Sequence, residues 1–240
     1  MSDLLSISNL TRTYGNKKVL DGLNLKIGTG KIVGLLAPNG EGKTTLFRLM
    51  AGLLTKNDGE ILIDGQEPSE ITNSYVSFLP DHYVLGGFHS IRGAMKHMKK
   101  YFSDFDEAKA LSLMKRLKFA PNQRLASLSK GQKEQVQLIL FLSRKAKLFL
   151  LDEPLAAVDP ATRDFIVQTI LSSFGEDNTV IISTHVVLDI ELILDEIVML
   201  KNGKVHLQGE ADELRSKYGM TINDIFKEEF RFVEGGSENE

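Results

Sequence analysis

The stretch APNGEGKTT at residues 37–45 constrains the fold of this chain more than any other. It follows an apolar run at residues 32–36 and precedes apolar residues at helical spacing over residues 46–52. This order of buried strand, glycine-bearing loop and helix is the setting that a phosphate-binding loop requires. In such a loop, backbone N–H groups and the positive end of the helix dipole converge on a polyphosphate. The stretch therefore predicts an α/β fold that holds a nucleotide.

The side chains of this loop suit a nucleotide and its metal ion. Lys43 supplies a positive charge for the β- and γ-phosphates, and the hydroxyl of Thr44 is a ligand for Mg²⁺. Gly40 and Gly42 let the backbone approach an anion closely. The pattern usually opens with glycine, and Ala37 is tolerable in its place if its φ is negative. The predicted nucleotide-binding residues of the loop are Ala37, Pro38, Asn39, Gly40, Glu41, Gly42, Lys43, Thr44 and Thr45.

Composition excludes several other classes of protein. The 240 residues are 42% hydrophobic and 25% charged, as in ordinary globular proteins, and the net charge of -3 gives no general attraction to nucleic acid. Cysteine is absent, which excludes disulfides and cysteine-ligated zinc and is consistent with a reducing compartment. No signal peptide is evident, and no apolar run approaches the roughly 18 residues of a membrane span. If the protein works at a membrane, we expect another chain to provide the membrane part.

Hydrophobic periodicity predicts an α/β core with two additions. The nearly continuous apolar runs at residues 148–151 and 179–182 are typical of strands buried on both faces of a parallel sheet. Residues 4–65 add alternating runs and turn signals, including a hairpin signal near Asp64-Gly65, which predict a β-rich edge. Residues 83–146 instead have apolar residues at helical spacing, at 91–102, 105–118 and 130–145. We predict one domain over residues 1–234, with residues 83–146 as an inserted helical subdomain and residues 235–240 as a flexible tail.

Two further motifs carry chemistry. The apolar run at residues 148–151 ends in Asp152 and Glu153, at the strand edge where open α/β sheets bind ligands. Asp152 is suited to hold Mg²⁺ through water as the acidic partner of Thr44, and Glu153 is suited to polarise an attacking water as general base. Residues 128–132, Leu-Ser-Lys-Gly-Gln, begin a helix and offer a hydroxyl and free N–H groups to an anion.

Taken together, these motifs resemble those of the nucleotide-binding subunit of an ABC transporter over residues 4–230. Residues 37–45 resemble the Walker A loop, and residues 148–153 resemble the Walker B motif with its catalytic glutamate. Residues 128–132 resemble the family signature, usually Leu-Ser-Gly-Gly-Gln, and residues 183–185 resemble the segment with the switch histidine. The resemblance implies a P-loop NTPase core with a mostly parallel sheet, an N-terminal antiparallel β subdomain and an inserted helical subdomain.

The resemblance also implies how the site works. The chain would bind ATP with Mg²⁺ and hydrolyse the ATP, with Lys43, Glu153 and His185 as its catalytic residues. Two copies would pair head to tail, so that each ATP lies between the Walker A loop of one copy and the signature of the other. Tyr14 would stack on the adenine. The implied signature contacts come from Ser129, Gly131 and Gln132.

Partners and location follow from the same resemblance. The implied partners are separate transmembrane permease subunits and a second copy of this chain or a related ATPase subunit, and the implied location is the cytoplasmic face of the cell membrane. In the family, the neighbourhood of residues 83–102 receives the coupling helices of the membrane subunit; the alternative is that its apolar residues are core of the helical subdomain. The signature variant is similar to that of bacterial exporters of the bacitracin or lantibiotic type.

Departures from the family pattern at Asp81 and Ala37 support one of two alternative functions, an ATP-binding regulatory subunit. Asp81 stands where the family usually has glutamine, and a carboxylate accepts a bond from metal-bound water but cannot donate one. We count Asp81, Thr44 and Asp152 as metal ligands. Lys130 replaces a glycine of the signature. The alternatives are a soluble ABC-type ATPase of translation or DNA maintenance, and an ATP-binding regulatory subunit with little turnover. The transported cargo is not encoded here, because the membrane chain selects it.

Overall fold

In a computed structural model that describes residues 3–156 and 158–231, two β-sheets organise the chain. The strands are β1 (Asp3–Tyr14), β2 (Lys17–Gly28), β3 (Ile32–Leu36), β4 (Asp58–Ile63), β5 (Val76–Leu79), β6 (Leu148–Asp152), β7 (Thr179–Thr184), β8 (Glu196–Lys201) and β9 (Lys204–Glu210). The helices are α1 (Lys43–Met50), α2 (Ile91–Tyr101), α3 (Glu107–Arg116), α4 (Lys130–Leu142), α5 (Pro160–Ser173), α6 (Ala211–Tyr218) and α7 (Ile222–Glu229). The predicted tail at residues 235–240 lies outside the described residues.

The larger sheet has the strand order β5-β6-β7-β3-β8-β9 and is parallel except for β9. Strands β3, β6 and β7 are buried along their whole length, as their apolar sequences predicted. Strand β9 returns antiparallel to β8 through the turn at Asn202-Gly203, whose residues have φ values of 53° and 72°. This order places the carboxyl ends of β6, β7 and β3 side by side.

The smaller sheet is antiparallel, with the order β2-β1-β4, as predicted for the N-terminal region. Its buried residues share one core with α1 and one face of the larger sheet. The pairing expected from the hairpin signal near Asp64 is wrong, because β4 pairs with β1 and only a single bridge, Ile63 to Gln66, closes the turn. The register is consistent with this pairing: Leu5 lies opposite Ile63, and both side chains are fully buried.

Helices α2, α3 and α4 lie between β5 and β6 in the chain and have a core cluster of their own, which includes Met95 and Leu113. Helix α4 also packs under the larger sheet through Leu138 and Leu142. Arg144, which is 3% exposed, connects the helical region to the larger sheet. Its guanidinium group donates to Asp104 at 2.9 Å and to the Val76 carbonyl of β5 at 2.6 Å. Within the described residues, no helix combines the length and apolarity needed to cross a membrane.

Candidate nucleotide site

The loop between β3 and α1 has the geometry of an anion cradle. Gly40 and Gly42 have φ values of 90° and 98°, and a Cβ on Gly42 would lie 3.1 Å from the Val19 carbonyl oxygen. Ala37 lies outside the positive-φ region, which is the condition for alanine to be tolerated there. Helix α1 begins at Lys43, so the N–H groups of its first turn have no acceptor within the helix. A cavity of about 300 Å³ opens here, lined by Val19, Asn39, Gly40, Gly42, Lys43, Thr44, Thr45, Asp81 and Glu153.

The ammonium group of Lys43 is held inside this loop. It donates to the carbonyl oxygens of Ala37 at 2.6 Å and Pro38 at 3.3 Å, and it lies 3.4 Å from Oε1 of Glu153. Burial lowers the pKa of Lys43, and the charge of Glu153 opposes that shift. The carbonyl groups and the carboxylate therefore fix a cation at the floor of the cavity, where a polyphosphate would lie.

Asp152 is a buried carboxylate with one unpaired oxygen. It ends β6 opposite Ser183 of β7 and is 1% exposed. Its Oδ1 accepts from the Ser183 hydroxyl at 2.5 Å, whereas its buried Oδ2 has no hydrogen-bond partner among the described residues. Burial raises the pKa of Asp152, and the hydroxyl groups of Ser183 and Thr44 oppose that shift.

These contacts fit a magnesium ion that is shared with a polyphosphate. Mg²⁺ is usually bound by one or two protein oxygens, with phosphate and water completing its coordination. The unpaired oxygen of Asp152, close to the Thr44 hydroxyl, supplies such ligands. In the part of the chain that the structure describes, no group of three or more His, Cys, Asp or Glu side chains could enclose a metal by itself.

Glu153 lies in a turn that directs its carboxylate back over the cavity. Its φ of 48° is in the left-handed region, and its N–H donates to the carbonyl and hydroxyl oxygens of Ser183, both at 3.1 Å. Oε1 of Glu153 is 2.9 Å from Nδ1 of His185 and 3.4 Å from Nζ of Lys43. The structure thus brings the three predicted catalytic side chains together, around a carboxylate that can accept a proton from a water molecule.

Asp81 lines the same cavity but is partly solvated. It follows β5, its side chain is 43% exposed, and its Oδ1 is 3.0 Å from Nδ1 of His82. The loop that carries it is fastened to α4 by Gln137, which is 4% exposed. The amide of Gln137 donates to the His82 carbonyl at 3.0 Å and accepts from the Val84 N–H at 2.7 Å. Helix α4 therefore sets the position of this loop.

The predicted signature contacts Ser129, Gly131 and Gln132 do not line this cavity, whereas Lys130 lines a second cavity of about 690 Å³ that also contains Asp81, Asp152 and Glu153. Ser129 and Gln132 form a capping box at the start of α4: the Ser129 hydroxyl accepts from the Gln132 N–H at 3.2 Å, and the Gln132 amide oxygen accepts from the Ser129 N–H at 3.0 Å. Both contacts use acceptor oxygens, so the hydroxyl hydrogen and the amide NH₂ are left as donors. Gly131 lies beside them and, like them, is absent from the cavity lining.

Tyr14 also lies apart from the cavity. It ends β1 and is 44% exposed, and the guanidinium carbon of Arg12 is 4.7 Å from its ring centroid. The ring is thus available to solvent on one side. Glu41, another predicted loop residue, directs its carboxylate to the N–H of Asn202 at 2.7 Å, so its side chain braces the loop against the β8–β9 turn.

Sequence reasoning missed Ser183 and Gln137 as site-supporting residues. Ser183 was noted only as a neighbour of His185, although a hydroxyl near the end of an apolar strand was a usable signal. Gln137 is the polar exception on the buried side of α4, next to Val136 and Leu138. Its role depends on a loop more than 50 residues earlier in the chain, which periodicity does not reveal.

Comparison with known proteins identifies the family. A family model described as ABC transporter matches residues 20–156. The chain belongs to the ABC transporter family. It is an ATP-binding subunit, an ATPase whose hydrolysis is coupled to transport, and proteins of this kind are peripheral to membrane transporters and work with transmembrane components.

Individual relatives agree with this assignment. The lantibiotic transport ATP-binding protein SrtF of Streptococcus pyogenes is 28% identical over 95% of this chain and 100% of its own length. The Nod factor export ATP-binding protein I of Rhizobium meliloti is 28% identical over 92% of this chain and 69% of its own length. A solved ATP-binding subunit of an ABC transporter superposes with a TM-score of 0.83 at 24% identity, covering 94% of this chain and 98% of that one, which supports the fold.

Proposed function

We propose that this chain powers an exporter and that ATP binds in the cavity beside the Walker A loop. The observation that carries the proposal is the unpaired Oδ2 of Asp152, buried next to a loop whose Lys43 is already held by Glu153. Thr44, Asp152 and Asp81 would hold Mg²⁺, which neutralises charge on the β- and γ-phosphates when it is bound. The Walker A loop residues 37–45 supply the backbone N–H groups that receive the phosphates.

Hydrolysis is assigned to three side chains. Lys43 stabilises negative charge on the γ-phosphate, and Glu153 takes a proton from the attacking water. His185 touches Oε1 of Glu153 through Nδ1, which leaves its Nε2 to contact the γ-phosphate. The left-handed turn at Glu153 supports this assignment, because residues in sparsely populated backbone conformations concentrate at functional sites.

A second copy completes the site in our proposal. Ser129, Gly131 and Gln132 do not line the Walker A cavity of their own chain, and the capping box leaves two donors available to a phosphate. Head-to-tail pairing would bring these donors to the γ-phosphate of the partner's ATP, and Tyr14 would stack on the adenine. ATP then favours the paired state because it contacts both copies, and hydrolysis removes that difference.

The membrane arrangement is also part of the proposal. Two relatives are named for lantibiotic transport and Nod factor export, which favours export by this chain. We assign residues 1–234 to one ATP-binding domain with residues 83–146 as its helical subdomain, placed at the cytoplasmic face and bound to separate permease subunits. Of the apolar residues at 83–102, Leu85, Met95 and Met98 belong to the helical core, whereas Val84 and Tyr101 are exposed, so the apolar surface for coupling helices is small.

The test separates hydrolysis from pairing. In Glu153→Gln, we expect phosphate release to fall to background while ATP now causes stable pairing, measured by light scattering of the purified chain. Adding Ser129→Ala should abolish that pairing. Glu213→Gln, on the exposed surface of α6, is the matched control and should keep the native rate. Equal phosphate release from the native chain and Glu153→Gln would contradict the proposed function.

A further inference from the structure

The charges of this chain are divided unevenly along its length. Residues 83–146 hold thirteen Lys and Arg against four Asp and Glu, a net charge of +9. The remaining residues hold sixteen Lys and Arg against twenty-eight Asp and Glu, a net charge of -12. The overall value of -3 hides this division. Such a division of charge favours contact between the basic segment and an anionic partner.

Helix α2 presents much of this charge to solvent. Its buried side holds Ile91 and Met95 against the helical core, and its eleven residues include no acid. Lys99 is paired with Glu107 at 2.6 Å, whereas Lys96 and Lys100 have no carboxylate partner among the residues that the structure describes. The exposed basic residues of α2 are Arg92, Lys96, Lys99 and Lys100.

The basic surface continues from α2 onto the end of α3. The N–H of Arg92 donates to the Pro121 carbonyl at 2.7 Å, and Pro121 lines a shallow groove with two further lysines. Tyr101 at the other end of α2 is 60% exposed, and Leu111 of α3 is 39% exposed. We call this surface the basic face, and it consists of Arg92, Lys96, Lys100, Tyr101, Leu111, Lys115 and Lys118.

We propose that the basic face docks on the anionic headgroups of the membrane surface. The proposal rests on the membrane location in the proposed function. The composition of the basic face suits an anionic membrane surface. Its long cationic side chains reach the headgroup layer, and its exposed tyrosine and leucine suit the membrane interface. The Tyr101 ring, which is 60% exposed, packs against the ring of His97, with their centroids 4.5 Å apart. The other side chains of the basic face are aliphatic or cationic, whereas a groove for single-stranded nucleic acid offers a row of stacking rings.

Binding of the full chain to vesicles tests the proposal. We expect it to sediment with phosphatidylcholine vesicles that contain phosphatidylglycerol, to sediment much less with phosphatidylcholine alone, and to be released by salt. Lys96→Gln with Lys100→Gln should lower the partition coefficient by roughly 30-fold, since each basic residue contributes about fivefold near an anionic surface. Glutamine and lysine have similar helix propensities, so α2 should persist.

A matched double variant and a second assay serve as controls for this experiment. Lys204→Gln with Lys217→Gln removes the same charge from exposed positions outside residues 83–146 and should bind vesicles like the native chain. Native-like vesicle binding by Lys96→Gln with Lys100→Gln, or no preference for phosphatidylglycerol, overturns the proposal. So does a result in which that variant loses only retention of an RNA oligonucleotide. Phosphate release is measured on the same samples. ATP hydrolysis without a preference for phosphatidylglycerol overturns only the proposal that the basic face binds lipid. A preference for phosphatidylglycerol without ATP hydrolysis overturns only the proposed function.

Discussion

Replacing Gln137 by leucine should loosen the loop that carries Asp81. The two side chains have similar volume, so the substitution removes the hydrogen bonds to His82 and Val84 without opening a large cavity in α4. The main effect is then on two backbone groups, one carbonyl and one N–H, that lose their partner. Asp81 lies directly before this pair, so its carboxylate should lose its fixed position beside the cavity.

The loss of stability in Gln137→Leu depends on how well water can replace the Gln137 amide as a hydrogen-bond partner. A buried polar group that loses its partner costs about 1–3 kcal/mol. His82 and Val84 are exposed, so water reaches their backbone groups and the low end applies, about 2 kcal/mol for the pair. In a chain of this size, that corresponds to a fall in Tm of roughly 4–8 °C. We also expect kcat for ATP hydrolysis to fall about tenfold or more, with little change in KM, because a misplaced positioning group weakens catalysis more than binding.

Differential scanning calorimetry and steady-state phosphate release measure the two effects. Gln135→Leu is the control, because it is the same substitution on the same helix and removes one bond, to the Thr162 hydroxyl at 2.9 Å. It should lower Tm by roughly half as much and leave kcat unchanged. If Gln137→Leu lowers Tm but its kcat equals that of the native chain, Gln137 does not position the Asp81 loop for catalysis and the reasoning is refuted.

Two other substitutions test the phosphate-binding loop and the half-buried carboxyl group of Glu134. Gly42→Ala puts a Cβ on a residue with a φ of 98°, 3.1 Å from the Val19 carbonyl oxygen, so it should lower the free energy of urea unfolding by about 1–3 kcal/mol and abolish ATP binding. The control is Gly175→Ala, which has no atom within 4 Å of the added Cβ and should leave stability unchanged. Equal losses of stability in the two variants would contradict backbone strain at Gly42. Burial raises the pKa of Glu134 above its ordinary value of 4.5, and the charge of Lys130 opposes this shift. Above the folded-state pKa, the ionised carboxylate therefore lowers the free energy of unfolding. Below pH 4.5 the carboxyl group is protonated in both states, and this loss of stability disappears. Glu134→Gln should therefore raise Tm at neutral pH and match the native Tm below pH 4.5; a gain that is constant with pH would contradict the role of the charge.

The parts of the fold that could be predicted from sequence depend on local pattern. The apolar runs of β6 and β7 are buried on both faces, and that pattern specifies a parallel sheet without knowledge of its neighbours. The loop at residues 37–45 and the acids after β6 were predictable as a site because both follow buried strands. The pairing of β4 was not predictable in this way. Whether β4 pairs with β1 or with the segment that follows it depends on how Ile63 packs in the folded chain.

The unpredicted parts of the site are contacts between distant segments. Ser183 orients Asp152 and receives the N–H of Glu153 because β6 and β7 are adjacent in this register. The left-handed φ at Glu153 has no sequence signal, since a glutamate seldom adopts it. Gln137 likewise gains its role only when α4 packs against the loop after β5.

The order of the strands explains how one chain brings the residues of the cavity together. The Walker A loop follows β3, Asp152 ends β6 and His185 follows β7. These strands are neighbours in a parallel sheet, so their carboxyl ends bring the three groups to one edge. The signature instead begins α4, which belongs to the helical cluster and meets the sheet only through its later turns. Gln137 lies on those turns and holds the loop of Asp81, so any displacement of α4 is passed to the one predicted metal ligand that is solvent-exposed. Because Gln137 fixes this loop, its substitution should change kcat as well as stability.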